Sequence, residues 1–186
     1  GMYAPGLDID LIKSLGLPSS TQRFCLNFMG CYAAFPGLRL ADSICKSDPK
    51  AKVLLVCVEL CSLHFQIPGD ADSILASSLF SDGAAAVVIS SKRPAKGLKL
   101  DSFFSWIAHE GAEDMSWEIG DLGFNMKLSA YVPHMLEKGM EAMMPVLPNC
   151  MLENSHYAIH PGGKKILEAL EKTLNISKKD NEFAYQ

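Results

Sequence analysis

An α/β fold in two halves, with mixed and mostly parallel sheets packed against helices, is the class the sequence predicts. Three observations carry it. Two short apolar runs rich in Val and Ala, Lys52 to Leu60 and Ala84 to Ser90, have the length and composition of strands buried on both faces. Helical periods lie between and after them, at Leu38, Ala41, Ile44 and Cys45, then at Met135, Leu136, Met140, Met143, Met144 and Leu147, and last at Ile166, Leu167, Leu170 and Leu174. The rhythm of strand, helix and strand occurs on both sides of Ser91 to Gly97, a basic Pro/Gly-containing stretch that divides 1–93 from 94–186.

In chain order, Arg23 to Met29 alternates apolar and polar residues and ends at Gly30, the pattern of a strand with one exposed face. With the helix around Leu38 to Cys45 and the strand at Lys52 to Leu60 it makes a crossover unit, hence parallel pairing. Ser73 to Phe80 reads as a short helix or turn. Ser81-Asp82-Gly83 then leads into the strand at Ala84. In the second half Leu98 to Ala108 restarts a strand pattern, and Trp117 to Lys127 reads as an extended hairpin. Pro133 opens a helix that Pro148 and Asn149 stop. His156 to His160 is a short strand, followed by Pro161-Gly162-Gly163 and an amphipathic helix. That order puts His160 at the carboxyl end of a strand, where open α/β sheets bind ligands.

Composition excludes several classes. With 48% hydrophobic and 20% charged residues the 186-residue chain is too apolar for disorder, and a chain of this length is expected to bury about 70% of its unfolded surface without disulfides or metal. Lys and Arg number 17 against 21 Asp and Glu, a net charge of −4 with no basic block, which argues against nucleic acid. No apolar run approaches the roughly 20 residues that span a bilayer. The start lacks a secretory pattern, and Gly1-Met2 reads as an expression remnant before a start codon. A cytoplasmic chain with reduced thiols is expected.

The most specific local feature is Gly30-Cys31-Tyr32-Ala33-Ala34-Phe35-Pro36-Gly37, a Cys at a strand-to-helix junction among small residues. The helix dipole there stabilises a thiolate by at most about 2 kcal/mol, or roughly one and a half pKa units. A thiol starting near pKa ~8.5 therefore needs a second positive group to ionise fully. His160 is the best candidate, since Cys and His partners meet in the fold and not along the chain. Cys25, Cys45, Cys57, Cys61 and Cys150 are read as inert packing residues. Cys57, Cys61 and His64 have the look of half a zinc site but lack a second ligand pair, so no metal is expected. Lys164 and Lys165, at the start of the last helix, could meet a phosphate, although exposed Lys there is more often solvated.

The chain resembles the type III polyketide synthases, the chalcone and stilbene synthase-like enzymes of the thiolase superfamily. The resemblance rests on Pro5-Gly6 with Asp8, Leu15-Gly16-Leu17, Gly30-Cys31-Tyr32-Ala33 through Leu38-Arg39-Leu40-Ala41, Val53 to Glu59, Phe65, Leu79 through Ala86, and Ile159-His160-Pro161-Gly162-Gly163. It implies an incomplete thiolase-like fold: the later part of an N-terminal half in 1–93, with the nucleophile, and the earlier part of a C-terminal half in 94–186, with the His. Cys31 would take an acyl starter from coenzyme A as a thioester. His160 would hold the thiolate and help stabilise the carbonyl oxyanion. Phe65 and Phe124 would line the mouth of the cavity, while Gly162 and Gly163 would let a pantetheine arm run close to the backbone. The implied reaction is decarboxylative Claisen condensation of malonyl-CoA onto the Cys-bound acyl group. Acyl-CoA and malonyl-CoA are the implied substrates, with no further cofactor, and a homodimer is the implied assembly.

Departures qualify what is carried over. Ala34-Phe35-Pro36 stands where plant members have Gly-Gly-Thr, which makes the cavity floor bulkier, and Ala4 stands where they have a residue reaching into the partner subunit's cavity. The family's catalytic Asn lies in a Gly-Asn motif, and no Gly is followed by Asn in these 186 residues. Asn181 is outside any such motif and is assigned no role. The basic residues that grip the coenzyme phosphates belong to an N-terminal region without a counterpart here. A ketoacyl synthase III-like condensing enzyme is the runner-up, although Phe65 and Leu79 to Ala86 favour the polyketide group. A non-catalytic dimeric remnant is the alternative outside the enzymes.

Overall fold

Asp8 and Asp10 stand in the first turn of helix α1 (Leu7–Ser14) and Lys13 in its last, charges placed to complement the helix dipole. In this computed structural model residues 4–65, 71–121, 123–129, 131–146 and 155–185 are described. Gly1-Met2, Leu147, Pro148, Asn149 and Cys150 lie outside them. The chain divides into two units that interleave along the sequence, Gly1–Cys57 with Ala86–Leu98 and Val58–Ala85 with Lys99–Gln186.

In the first unit, residues 23–29 form no strand, contrary to the alternation of their side chains. The physical reason is local: Phe28 takes a positive φ of 54°, which breaks an extended run, and no described strand takes up the backbone groups of this segment. Arg23 instead forms an ion pair with Asp8 near the start of α1. A 3-10 turn at Gly30–Tyr32 then leads into α2 (Ala34–Ser47), whose buried residues Gly37, Ala41 and Cys45 mark its inner face. A Cβ on Gly37 would stand 2.9 Å from a Leu55 methyl, so the glycine sets how closely α2 approaches β1 (Lys52–Glu59). The Cys45 thiol donates to the Ile89 carbonyl at 3.6 Å, and the Ser91 hydroxyl donates to the Cys45 carbonyl, tying the end of α2 to β2 (Gly83–Ser90).

β1 and β2 pair as a two-stranded sheet. Neither is buried on both faces as their apolar composition predicts: no residue of either strand is fully buried, and only Ile89 of β2 is even half-buried. Apolar composition reports what a strand is suited to contact. What it does contact depends on the layers present, and here α2 supplies one layer over the sheet.

The second unit holds the larger core. Helix α3 (Ala71–Leu79) packs on an antiparallel hairpin of β3 (Met115–Gly120) and β4 (Gly123–Leu128), in register from Met115 opposite Leu128 to Gly120 opposite Gly123. This is the hairpin that Trp117 to Lys127 predicts. Residues 98–108 and 156–160, expected as strands, carry no ladder. Helix α4 (Val132–Met143) begins with Pro133 in its first turn, where the missing N–H costs nothing, and packs against α5 (Lys164–Leu174). Among the described residues, Leu167, Ala169, Leu170 and Leu174 of α5 are most of the buried apolar side chains. Asn175 closes α5 in the left-handed conformation, and Ile176 N–H returns to the Glu171 carbonyl at 3.0 Å.

Two contacts give direct tests of this packing. A Cβ on Gly139 of α4 would stand 2.6 Å from the Trp106 ring. Gly139→Ala is therefore expected to destabilise the protein by about 1–2 kcal/mol, because the steric cost of overpacking exceeds the ~1 kcal/mol that Ala gains in a helix. Thermal unfolding measures it, and an unchanged or raised Tm would contradict the contact. The second contact ties Asp82, ahead of β2, to the 3-10 turn Cys61–His64: Ser62 N–H donates to Oδ1 at 2.8 Å and Ser62 Oγ to Oδ2 at 2.6 Å. The Ser62 hydroxyl and then its amide hold the Asp82 carboxyl below its ordinary value of 3.8. A carboxylate depressed on folding stabilises the folded state above its unfolded pKa, and that contribution fades as pH falls through the folded value. Below about pH 4 the stability of Asp82→Asn should fall less steeply than that of the parent. Superimposable acid profiles would remove the tie.

Among the described residues no helix is long and apolar enough to cross a membrane.

Candidate active site

Cys31 sits in the turn that opens onto α2, with its side chain exposed. Gly30 makes that turn possible with a φ of +64°, a conformation a side chain would strain. Ala33, the residue before α2, makes no side-chain cap hydrogen bond to the start of the helix. An uncapped helix start favours negative charge near it, and a thiolate or a carbonyl oxyanion is such a charge.

His160, in the second unit, closes the segment 155–160 with its side chain exposed. Gly162 N–H donates to the His160 carbonyl at 2.9 Å, folding the chain sharply at Pro161. A Cβ on Gly162 would meet Ile166 Cδ1 at 3.1 Å and His160 Cδ2 at 3.6 Å, so this glycine leaves room for Ile166 and the imidazole beside the turn. Gly163 precedes α5 at φ 133° and ψ 152°, backbone that belongs to glycine. The structure thus brings His160, Gly162 and Gly163 together in one tight turn at the start of α5. Lys164 pairs with Glu168 one turn on at 3.6 Å, both exposed.

Cys31 belongs to the first unit and the other five predicted residues to the second. Phe65 follows the 3-10 turn Cys61–His64 and is 65% exposed. Phe124 lies in β4, opposite Ile119 of β3 in the ladder. Cys25 is exposed, Cys57 and Cys61 are half-buried, and Cys45 is buried. Among the described residues no three His, Cys, Asp or Glu side chains gather as metal ligands would.

One polar cluster was not anticipated. Asn181 is fully buried, and its Nδ2 donates to Glu171 Oε1 at 3.0 Å, while its Oδ1 has no hydrogen-bond partner. Glu171 also accepts from Tyr185, whose phenol is raised above its ordinary value of 10.0, first by burial and then by that hydrogen bond. The signal was present: Glu171 falls four residues after Leu167 and three before Leu174, on the apolar face of α5, where a charge demands a partner.

The family model described as "Chalcone and stilbene synthases, N-terminal domain" matches residues 1–93. A probable polyketide synthase 1 of Dictyostelium discoideum is 35% identical over 96% of this chain, which covers 6% of that protein. An alpha-pyrone synthesis polyketide synthase-like Pks18 of Mycobacterium tuberculosis is 33% identical over 95% of this chain and 47% of its own length. Among solved structures, PKS-I from the brown alga Ectocarpus siliculosus superposes with a TM-score of 0.88 at 28% identity, over 100% of this chain and 51% of that one. The 1,3,6,8-tetrahydroxynaphthalene synthase of Streptomyces coelicolor gives 0.87 at 28% identity, over 98% and 53%. The chain spans about half the length of the Mycobacterium relative and of these solved enzymes.

Proposed function

The chain belongs to the chalcone and stilbene synthases, the type III polyketide synthases with a thiolase-like α/β fold, and on that premise we propose that it carries the acyl-accepting thiol of a polyketide-forming condensation. The observation that supports this most is Cys31 itself: an exposed thiol in a turn whose next element is an uncapped helix start.

The Cys31 thiolate attacks the carbonyl of an acyl-CoA, a carbon–sulfur bond forms, and coenzyme A leaves as its thiol after taking up a proton. Malonyl-CoA then loses carbon dioxide, and the electron pair of the broken bond becomes an enolate. The enolate carbon attacks the Cys31 thioester, the new carbon–carbon bond forms, and the Cys31–acyl bond breaks to return the thiolate and a β-ketoacyl-CoA. His160 serves by stabilising the thiolate and by donating to the oxygen on which negative charge develops. The turn at Gly162 and Gly163 supports that role, since it fixes the backbone beside the imidazole without side-chain bulk. Phe65 and Phe124 are assigned to the mouth of the acyl cavity. The assembly is a cytoplasmic homodimer acting on acyl-CoA and malonyl-CoA, without a further cofactor.

The 186 residues contain no Gly-Asn pair, and the reading assigns part of the condensation step to an Asn of that motif. Acyl loading is therefore expected to proceed on this chain while condensation is slowed by about 100-fold or more against a relative such as Pks18, the scale of losing one oxyanion donor. Quantifying coenzyme A release and β-ketoacyl products separately tests both halves. Products at the relative's rate would overturn the second, and absence of loading would overturn the reading itself.

A further inference from the structure

The 3-10 turn Cys61–His64 begins without a cap of its own: Leu60, the residue before it, makes no side-chain hydrogen bond to the turn. The first amides of a helical turn have no partner inside it. For Ser62 the partner stands 20 residues further along the chain. Asp82, the residue before β2, accepts the Ser62 N–H at Oδ1 over 2.8 Å and the Ser62 hydroxyl at Oδ2 over 2.6 Å. These two bonds hold the Asp82 carboxyl below its ordinary value of 3.8, so at neutral pH both oxygens are acceptors. Bonds to an ionised acceptor are shorter and stronger than neutral ones, and two on one residue hold its orientation as well as its place. The remaining polar group of Ser62, its carbonyl, accepts from the Phe65 N–H at 3.4 Å. Phe65 then leaves the turn in extended backbone, φ −62° and ψ 126°, with its side chain exposed. Asp82, Ser62 and Phe65 all lie in the second unit.

We propose that Asp82 and Ser62 are positioning residues for Phe65: the carboxylate fixes, through Ser62, where the Phe65 ring stands at the mouth of the acyl cavity, and so which lengths of acyl group reach the thiol. The inference rests on the assignment of Phe65 to that mouth. A phenylalanine side chain has two torsions, so the direction of its backbone decides most of where the ring can stand. That backbone leaves a turn whose own hydrogen bonds are short-range, Leu63 N–H to the Leu60 carbonyl and Phe65 N–H to the Ser62 carbonyl. The Asp82 carboxylate ties this turn to the start of β2. An apolar opening tells acyl chains apart by their methylene groups, each worth about tenfold or more where the contact is close. A shift of the ring therefore alters the preference among chain lengths and leaves the chemistry at the thiol as it was.

The test is single-turnover acyl loading of the full chain from acetyl-, hexanoyl- and decanoyl-CoA, with the rate at saturation and the half-saturating concentration measured separately. Asp82→Ala is expected to change the decanoyl-to-acetyl ratio of loading efficiency by about tenfold, chiefly through the half-saturating concentrations. Ser62→Ala, which removes the hydroxyl bond and keeps the amide bond, should move the ratio the same way by a smaller factor. Ser62→Thr keeps both donors and should load as the parent does. Phe65→Ala should change the ratio as well, and adding Asp82→Ala to it should change it no further, because the route through the ring is gone. Equal slowing with all three acyl-CoAs, an unchanged ratio, or full additivity with Phe65→Ala overturns the proposal. A parent chain that loads none of the three overturns the reading of Cys31 and this inference with it. A parent that loads with a ratio indifferent to Asp82 and Ser62 overturns this inference alone. Should Asp82→Ala fail to fold by circular dichroism, Ser62→Ala and its rescue by Ser62→Thr decide the matter.

Discussion

Cys31→Ala is expected to reduce acyl transfer from acyl-CoA onto the chain by roughly 10³-fold or more, the scale seen when a covalent nucleophile is removed. The expectation follows from the five described thiols taken together. Cys45 is buried and donates to the Ile89 carbonyl, so it is inaccessible to a bulky thioester. Cys57 and Cys61 are half-buried, which limits approach. Cys25 is exposed but hydrogen-bonds to Asn27 Oδ1 at 3.5 Å, in a segment with no helix start beside it. Cys31 combines exposure with the positive end of α2. Because it is exposed, its replacement should leave stability within about 0.5 kcal/mol, so any loss of loading reports chemistry and not unfolding. Cys25→Ala is the matched control and should load as the parent does.

Gly163→Ala carries the second large effect. At φ 133° and ψ 152° this residue lies in backbone that other residues adopt at a cost of about 1–3 kcal/mol. No atom stands within 4 Å of a Cβ placed there, so the penalty is conformational and not steric. Gly162→Ala differs in kind: its Cβ would press on Ile166 at 3.1 Å and meet the ring of His160 at 3.6 Å. Gly163→Ala should therefore lower stability in denaturant unfolding by that amount, while Gly162→Ala should chiefly move the His160 ring resonances. Equal stability for Gly163→Ala and its parent would mean that the turn before α5 is not held as described.

How much of this was legible in the sequence depends on whether local chemistry or distant partners decide the outcome. Helices α2, α4 and α5 and the hairpin β3–β4 follow from periodicity, from Pro133 and from the residues around Gly120 and Gly123, all local causes. The turns beside Cys31 and His160 also have local causes, positive φ at Gly30 and Gly163 and the close approach of Ile166 at Gly162. Residues 23–29 misled because alternation makes a strand only when a neighbour accepts its amides. β1 and β2 misled for a related reason: Val-rich composition states what a strand can bury, and the covering layers come from elsewhere. The Glu171–Asn181 pair was missed although Glu171 interrupts the apolar face of α5, since its partner lies ten residues on, past the end of the helix.

The central claim is that one thiol of this chain receives the acyl group. The most direct measurement is tandem mass spectrometry of the protein after brief incubation with an acyl-CoA, locating the added mass among the six cysteines. A single adduct on the peptide containing Cys31 is the predicted result. An adduct spread over Cys25, Cys57 and Cys61, or absent from Cys31, would contradict it.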